Sequence, residues 1–101
     1  MKERIVNMEY DITSEQLARF AKALGHPVRI EIMKHLIRCS CCYTGDLVEI
    51  LPLAQSTVSQ HLKELKDAGL IQGEIEPPKV KYCINQINWQ NARKLFAELF
   101  K

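Results

Sequence analysis

The chain has 101 residues, a length that predicts one domain, and its apolar fraction of 47% predicts a folded core. No apolar run is long enough to span a membrane and the N-terminus lacks the apolar stretch of a signal peptide, so we expect a cytoplasmic protein with four reduced cysteines rather than structural disulfides. The formal net charge of +2 gives only weak support for nucleic-acid binding, so a DNA-binding face would have to be a local cluster of basic residues.

The first half of the chain is predicted to be helical. We expect an N-terminal arm over residues 1–12 and one folded domain over residues 13–101. A helix with one apolar face is predicted from about residue 13 to residue 24, where Gly25 ends it. The next helix, residues 27–38, begins with a proline and is apolar around much of its circumference, so it is expected to lie at the centre of the fold.

The middle of the chain predicts two helices joined by a short turn. The first runs from Thr44 to Leu51 and is limited by a proline, and the second begins at Gln55 and is stopped by Gly69. A thin apolar stripe on the second helix is formed by Val58, Leu62 and Leu65. A helix-turn-helix whose second helix has a polar first turn is typical of DNA binding.

The outward side of this second helix carries short hydroxyl and amide side chains that suit contacts with phosphates and base edges. We predict DNA contacts from Gln55, Ser56, Thr57, Ser59, Gln60, His61 and Lys63. The alternative is an ordinary amphipathic surface helix with a solvated charged face.

Two strands are predicted after the recognition-type helix. Residues 70–74 and 79–84 have strand character, and residues 76–79 form a turn that contains two prolines. Lys79 and Lys81 lie near this turn and are expected to reach DNA phosphates. The predicted fold class is therefore mainly α with a small β-hairpin (α+β), a winged helix-turn-helix.

A last helix is predicted from about Asn88 to Phe100, and it is heavily apolar for a terminal element. A small domain buries comparatively little surface, so we expect these side chains to form a homodimer interface with the first helix. The alternative is that this helix closes the core of a monomer. The predicted interface residues are Leu17, Phe20, Trp89, Leu95, Phe96, Leu99 and Phe100.

Four segments in this order resemble the arsenical-resistance repressor family (ArsR/SmtB) of winged-helix regulators. They are ALGHPVRIEIMKHL, GDLVEIL, STVSQHLKELKDAGLI and KVKYCI, and the resemblance covers about residues 13–100. It implies a dimer with the terminal helices at its interface, and repression of a promoter that a small ligand relieves or modulates. It also implies that Ser56, Thr57, Ser59, Gln60 and His61 face the operator and that Lys79 and Lys81 lie on the wing.

Cys39, Cys41 and Cys42 crowd the junction before the helix-turn-helix. Three interpretations stay open: a site for a thiophilic metal or metalloid, a thiol redox sensor, or small buried side chains with no cofactor at all. The resemblance favours Cys42 as the key sulfur, with Cys41 or Cys39 as its partner. Cys83 is predicted to be structural.

The leading functional hypothesis is a dimeric regulator that binds double-stranded DNA at a palindromic operator, without membrane association. A winged-helix module that binds only protein is the alternative, and it would lack salt-dependent retention on DNA. A thiol enzyme is not expected, because the sequence has no Cys-x-x-Cys motif and no obvious Cys–His pairing.

Overall fold

The computed structural model describes residues 12–101, so most of the predicted arm over residues 1–12 lies outside the described residues. In this part of the chain, helices and strands follow one another as α1 Ile12–Leu24, α2 Pro27–Cys39, β1 Cys41–Tyr43, α3 Thr44–Ile50, α4 Gln55–Asp67, β2 Ile71–Glu76, β3 Lys79–Ile84 and α5 Gln86–Leu99. The winged helix-turn-helix fold and the mainly helical class are confirmed. No helix in residues 12–101 is both long and apolar enough to cross a membrane.

Local hydrogen bonds fix where α2 and α5 begin. His26 precedes α2, and its Nδ1 accepts a hydrogen bond from the backbone N–H of Val28 at 3.1 Å. Asn85 precedes α5, and its Oδ1 accepts one from the backbone N–H of Asn88 at 3.1 Å. Each acceptor satisfies a donor that the first helical turn leaves unpaired.

Gly69 marks the exit from α4 and the approach to α5. Its φ of +86° lies in the left-handed region that favours glycine. A Cβ atom at this position would lie 2.9 Å from Nδ2 of Asn88, which donates a hydrogen bond to the Gly69 carbonyl oxygen at 2.8 Å. The sharp turn therefore brings the end of α4 into direct contact with the start of α5.

The sheet has three antiparallel strands in the order β1-β3-β2, one strand more than the predicted hairpin. The added strand is β1, in which Cys41 pairs with Cys83 and Tyr43 pairs with Lys81. Because successive side chains of a strand alternate between the two faces, these four residues share one face of the sheet. The strand β1 thus connects the hairpin of β2 and β3, here called the wing, directly to the start of α3.

The core lies between the helices and the inner face of the sheet. Its largest fully buried side chains are Ile32, Leu36, Leu47, Val58, Leu62, Leu65, Leu70 and Ile71. Phe20 also belongs to it, with only 6% of its surface exposed. Phe20 was predicted to lie in the dimer interface; α1 packs this ring into its own domain, and its contact with a second subunit stays a prediction.

Candidate nucleic-acid interface

The helices α3 and α4 form a compact unit whose second helix presents its N-terminal turn outward. The turn after α3 is closed by a hydrogen bond from the backbone N–H of Leu51 to the Leu47 carbonyl at 3.0 Å. Ala54 precedes α4, and within residues 12–101 no side chain caps this helix. Its first backbone N–H groups are therefore left for an external acceptor, which suits a phosphate.

The outward side of α4 carries most of the predicted contact residues. Gln55, Ser56, Thr57, Ser59, Gln60 and Lys63 are all exposed. Val58, Leu62 and Leu65 on the opposite side are completely buried. The ammonium of Lys63 bonds to Asp67 at 2.7 Å, and this hydrogen bond raises the pKa of Lys63. Lys63 thus stays charged, but an acid on its own helix partly offsets that charge.

His61 occupies a different side of α4 from Gln60. Its ring is half-buried and lies against the ring of His26, with 4.3 Å between centroids. Burial lowers the pKa of His61, and the nearby His26 and Arg29 lower it further. His61 was predicted to face the operator, whereas the structure places it where α4 packs against the start of α2.

The wing carries an interlocked set of charged side chains. The ammonium of Lys81 lies 3.5 Å from a carboxylate oxygen of Glu74 and 3.1 Å from one of Glu76. The hydroxyl of Tyr43 donates a hydrogen bond to Glu76 at 2.7 Å, and the ammonium of Lys79 lies 5.1 Å from the centroid of the Tyr43 ring. The two wing lysines are thus not equivalent, since one faces carboxylates and the other an aromatic ring.

An open cleft of about 450 Å³ separates the wing from the helix-turn-helix. Its lining includes Gln55 and Ser59 from α4, Asp46 from α3, Tyr43 from β1 and Lys79 from the wing. The start of the recognition-type helix and the tip of the wing therefore face the same opening, as two elements that straddle one strand of a duplex would.

The three cysteines of the predicted sensing segment differ in partner and in exposure. Cys41 and Cys83 are joined by a disulfide, so the prediction that all four cysteines are reduced is wrong for this pair. Cys39 is exposed, and its sulfur lies 3.8 Å from Nε2 of His35. Cys42 is buried, and its pKa is raised by burial first and then by Asp46 and Cys39. Residues 12–101 contain no group of three or more His, Cys, Asp or Glu side chains placed to hold a metal ion.

An apolar surface formed by α1 and α5 contains the remaining predicted interface residues. Leu99 and Phe100 have 61% and 75% of their surfaces exposed. The rings of Phe96 and Phe100 stack with 5.8 Å between centroids. The other members are partly buried against the core or line shallow grooves beside it, and they are Leu17, Trp89 and Leu95.

Sequence reasoning missed four residues of this region: Tyr43, Glu74, Glu76 and Cys83 as the partner of Cys41. The hairpin sequence itself could have indicated two of these residues, Glu74 and Glu76. A two-residue turn at Pro77 and Pro78 sets Glu76 opposite Lys79 and Glu74 opposite Lys81, and directly opposed opposite charges attract each other.

Comparison with known proteins places the chain in a family. The family model described as "Bacterial regulatory protein, arsR family" matches residues 26–72. The HTH-type transcriptional regulator YgaV of Escherichia coli (strain K12) is 35% identical over 72 residues, 71% of this chain and 73% of that protein. The transcriptional repressor PagR of Bacillus anthracis is 33% identical over 89 residues, 80% of this chain and 89% of that protein.

A solved structure agrees with these sequence relatives. HlyU from Vibrio cholerae N16961 superposes with a TM-score of 0.71 and 26% identity, over 90% of this chain and 98% of that chain. The chain therefore belongs to the arsR family of bacterial regulatory proteins, as a DNA-binding transcriptional regulator rather than an enzyme.

Proposed function

We propose that the protein is a homodimeric repressor that works in the cytoplasm and binds double-stranded DNA at an imperfect palindromic operator. The observation that carries the proposal is the exposed polar side of α4, which backs onto a fully buried apolar stripe. In this arrangement α4 enters the major groove. The contact residues are Gln55, Ser56, Thr57, Ser59, Gln60, Lys63 and Lys79.

Base preference is assigned to Gln60, since its exposed amide can bond two positions of one base edge. Gln60→Ala is expected to lower the affinity for the operator by about 1–3 kcal/mol while leaving binding to unrelated DNA nearly unchanged. Gln90→Ala on α5 is the matched control. Gel-shift titrations of both variants against the DNA upstream of the gene measure this difference, and equal losses on both kinds of DNA would argue against α4 as the reading element.

Dimerisation is assigned to the apolar surface of α1 and α5. Two copies that share this surface would place their α4 helices about one DNA turn, roughly 34 Å, apart. Leu99→Glu puts a charge into the interface, at a cost of several kcal/mol, and is expected to give a monomer with weak operator binding. Ile87→Glu places the same charge at an 83% exposed position of α5 and serves as control. If Leu99→Glu is still a dimer in sedimentation equilibrium, the interface does not include this surface.

The releasing signal is assigned to thiol chemistry at the cysteines, and the disulfide Cys41–Cys83 supports this choice over a bound metal. In a cytoplasm that keeps thiols reduced, a disulfide is usually transient. A reductant thiolate attacks one sulfur of the pair, the other leaves as a thiolate and takes a proton, and a second thiol resolves the mixed disulfide. Oxidation reverses these steps, with a small disulfide such as oxidised glutathione accepting the two electrons.

We expect oxidation to weaken operator binding. Gel shifts in glutathione buffers of graded redox potential test this for wild type, Cys83→Ser and Cys39→Ser. Cys83→Ser should bind equally in all buffers, and Cys39→Ser should respond as wild type does. Reduced protein titrated with arsenite, Zn²⁺ or Cd²⁺ tests the metal alternative, which gains support if these ions release DNA and oxidised glutathione does not.

A further inference from the structure

The outward face of the wing brings two acids, two lysines and a tyrosine together. The strand register sets Glu74 opposite Lys81, Glu76 opposite Lys79, and Tyr43 opposite Lys81 on the other side. Paired residues of antiparallel strands point to the same face, so all five side chains share one surface. The formal charges of the four charged wing residues cancel, although the wing carries two lysines.

The two lysines differ in what a DNA phosphate would have to displace. Lys81 lies within ion-pair distance of two carboxylates, and only 27% of its side chain is exposed. Lys79 is exposed and contacts the face of the Tyr43 ring. An aromatic ring attracts an ammonium without cancelling its charge or occupying all its N–H groups. A phosphate can therefore bind Lys79 without first separating an ion pair.

Tyr43 contributes a second contact that fixes the carboxylate of Glu76. Its hydroxyl donates to one oxygen of this carboxylate at 2.7 Å, and Lys81 lies 3.1 Å from the other oxygen. These hydrogen bonds, first from Tyr43 and then from Lys81, lower the pKa of Glu76 and keep it ionised. The same contact raises the pKa of Tyr43, so the phenol keeps the proton that it donates.

We propose that Tyr43 and Glu76 are positioning residues that withhold Lys81 from DNA and leave Lys79 as the cation of the wing that binds a phosphate. The proposal rests on the docking mode proposed above, and it replaces the sequence-based expectation that both lysines contact DNA. The partner is the phosphate backbone of a duplex, so the effect is independent of base sequence.

The experiment uses oxidised protein, in which Cys41 and Cys83 are bonded, and measures how its affinity for one duplex changes with salt concentration. Each phosphate contact contributes about 0.9 to the slope of log K against log salt. Lys79→Gln is expected to reduce the slope by about 0.9, and Lys81→Gln to leave it nearly unchanged. Glu76→Gln is expected to raise it by up to about 0.9, since Lys81 becomes free to bind a phosphate, and Tyr43→Phe to raise it by less.

The matched control is Glu31→Gln, which makes the same charge change and frees Lys34 on α2, away from the wing. Its slope should equal that of wild type. The proposal is overturned if Lys81→Gln lowers the slope as much as Lys79→Gln does, or if Glu76→Gln cannot be distinguished from Glu31→Gln.

A second measurement needs no DNA and separates this proposal from the proposed function. NMR titration of the Glu76 carboxyl should show a lowered pKa in wild type that rises in both Tyr43→Phe and Lys81→Gln. A Glu76 pKa that neither substitution moves overturns the positioning role, even if the protein binds its operator. Conversely, if the wild type shows no salt-dependent DNA binding, the docking mode is refuted. The titration would still test the contact of Glu76 with Tyr43 and Lys81.

Discussion

Loss of the disulfide between Cys41 and Cys83 should destabilise the fold. The two residues are separated by 42 positions, and the loop that they close contains α3, α4, β2 and the first part of β3. The bond therefore encloses every element assigned to DNA contact. The main effect of reduction on stability is to restore conformational freedom to the unfolded chain.

The chain-entropy relation for a loop of this length gives a stabilisation of about 4 kcal/mol at 25 °C. Small domains have a total free energy of unfolding of about 5–15 kcal/mol, so this one bond supplies a large share. For a domain of this size the loss corresponds to a fall in the melting temperature of about 15 °C or more. The reduced protein is nevertheless expected to remain folded at 25 °C.

Urea denaturation of wild type under oxidising and reducing conditions measures the effect. Cys41→Ser and Cys83→Ser should match the reduced wild type in either buffer. Cys39→Ser should behave as wild type does, because this exposed thiol lies outside the bond. Equal unfolding midpoints for oxidised and reduced wild type, with the bond verified by thiol counting, would refute the reasoning.

Three further predictions concern single residues. Gly69→Ala forces a side chain into a left-handed conformation against Asn88 and should cost about 1–3 kcal/mol in urea denaturation, more than Gly45→Ala, where the site is open. Leu62→Ala removes a fully buried side chain and should cost about 2–5 kcal/mol, measured by calorimetry. His61 has a folded pKa below its ordinary 6.5, so the unfolded chain binds more protons, and stability should fall as the pH drops below about 6.5. The dependence of the free energy of unfolding on pH should be weaker in His61→Gln. If it is unchanged, another group causes the effect.

The helices were predictable because their signals are local. The observed α2 and α3 begin at the predicted residues, and the end of each lies within one residue of its predicted position. A proline in the first turn and a 3.6-residue apolar period need no information from distant parts of the chain. The hairpin was predictable for the same reason, since its turn and both strands are contiguous.

The strand β1 was not predictable in this way. It has only three residues, Cys41–Tyr43, too few for an alternating pattern, and it becomes a strand by pairing with β3 about forty residues later. The disulfide depends on the same long-range pairing. Composition favoured reduced thiols, whereas the register brings Cys41 directly opposite Cys83.

Sequence alone could not decide a surface assignment where an apolar or aromatic side chain had two possible partners. The pattern that puts Phe20 on the apolar face of α1 does not distinguish the core of its own domain from a second subunit. Likewise, the periodicity of α4 places His61 beside the buried stripe, but only the position of α2 brings it against His26. The helical period predicts on which side of a helix a side chain lies, but tertiary packing decides which residue it contacts there.

The proposed redox signal and the proposed restraint on Lys81 meet in β1. The disulfide fixes one end of this strand to β3, and Tyr43 lies only two residues further along, on the same face of the sheet. Oxidation thus favours the arrangement in which Tyr43 holds Glu76 beside Lys81, and the wing then offers DNA fewer cations. If reduction weakens the pairing of β1 with β3, Lys81 becomes free to exchange its carboxylates for a phosphate, so the proposed restraint on Lys81 belongs to the disulfide-bonded protein. Because a signal shifts an equilibrium only through different affinities for its two states, a lysine freed in this way would supply the difference by which reduced protein is proposed to bind its operator more tightly.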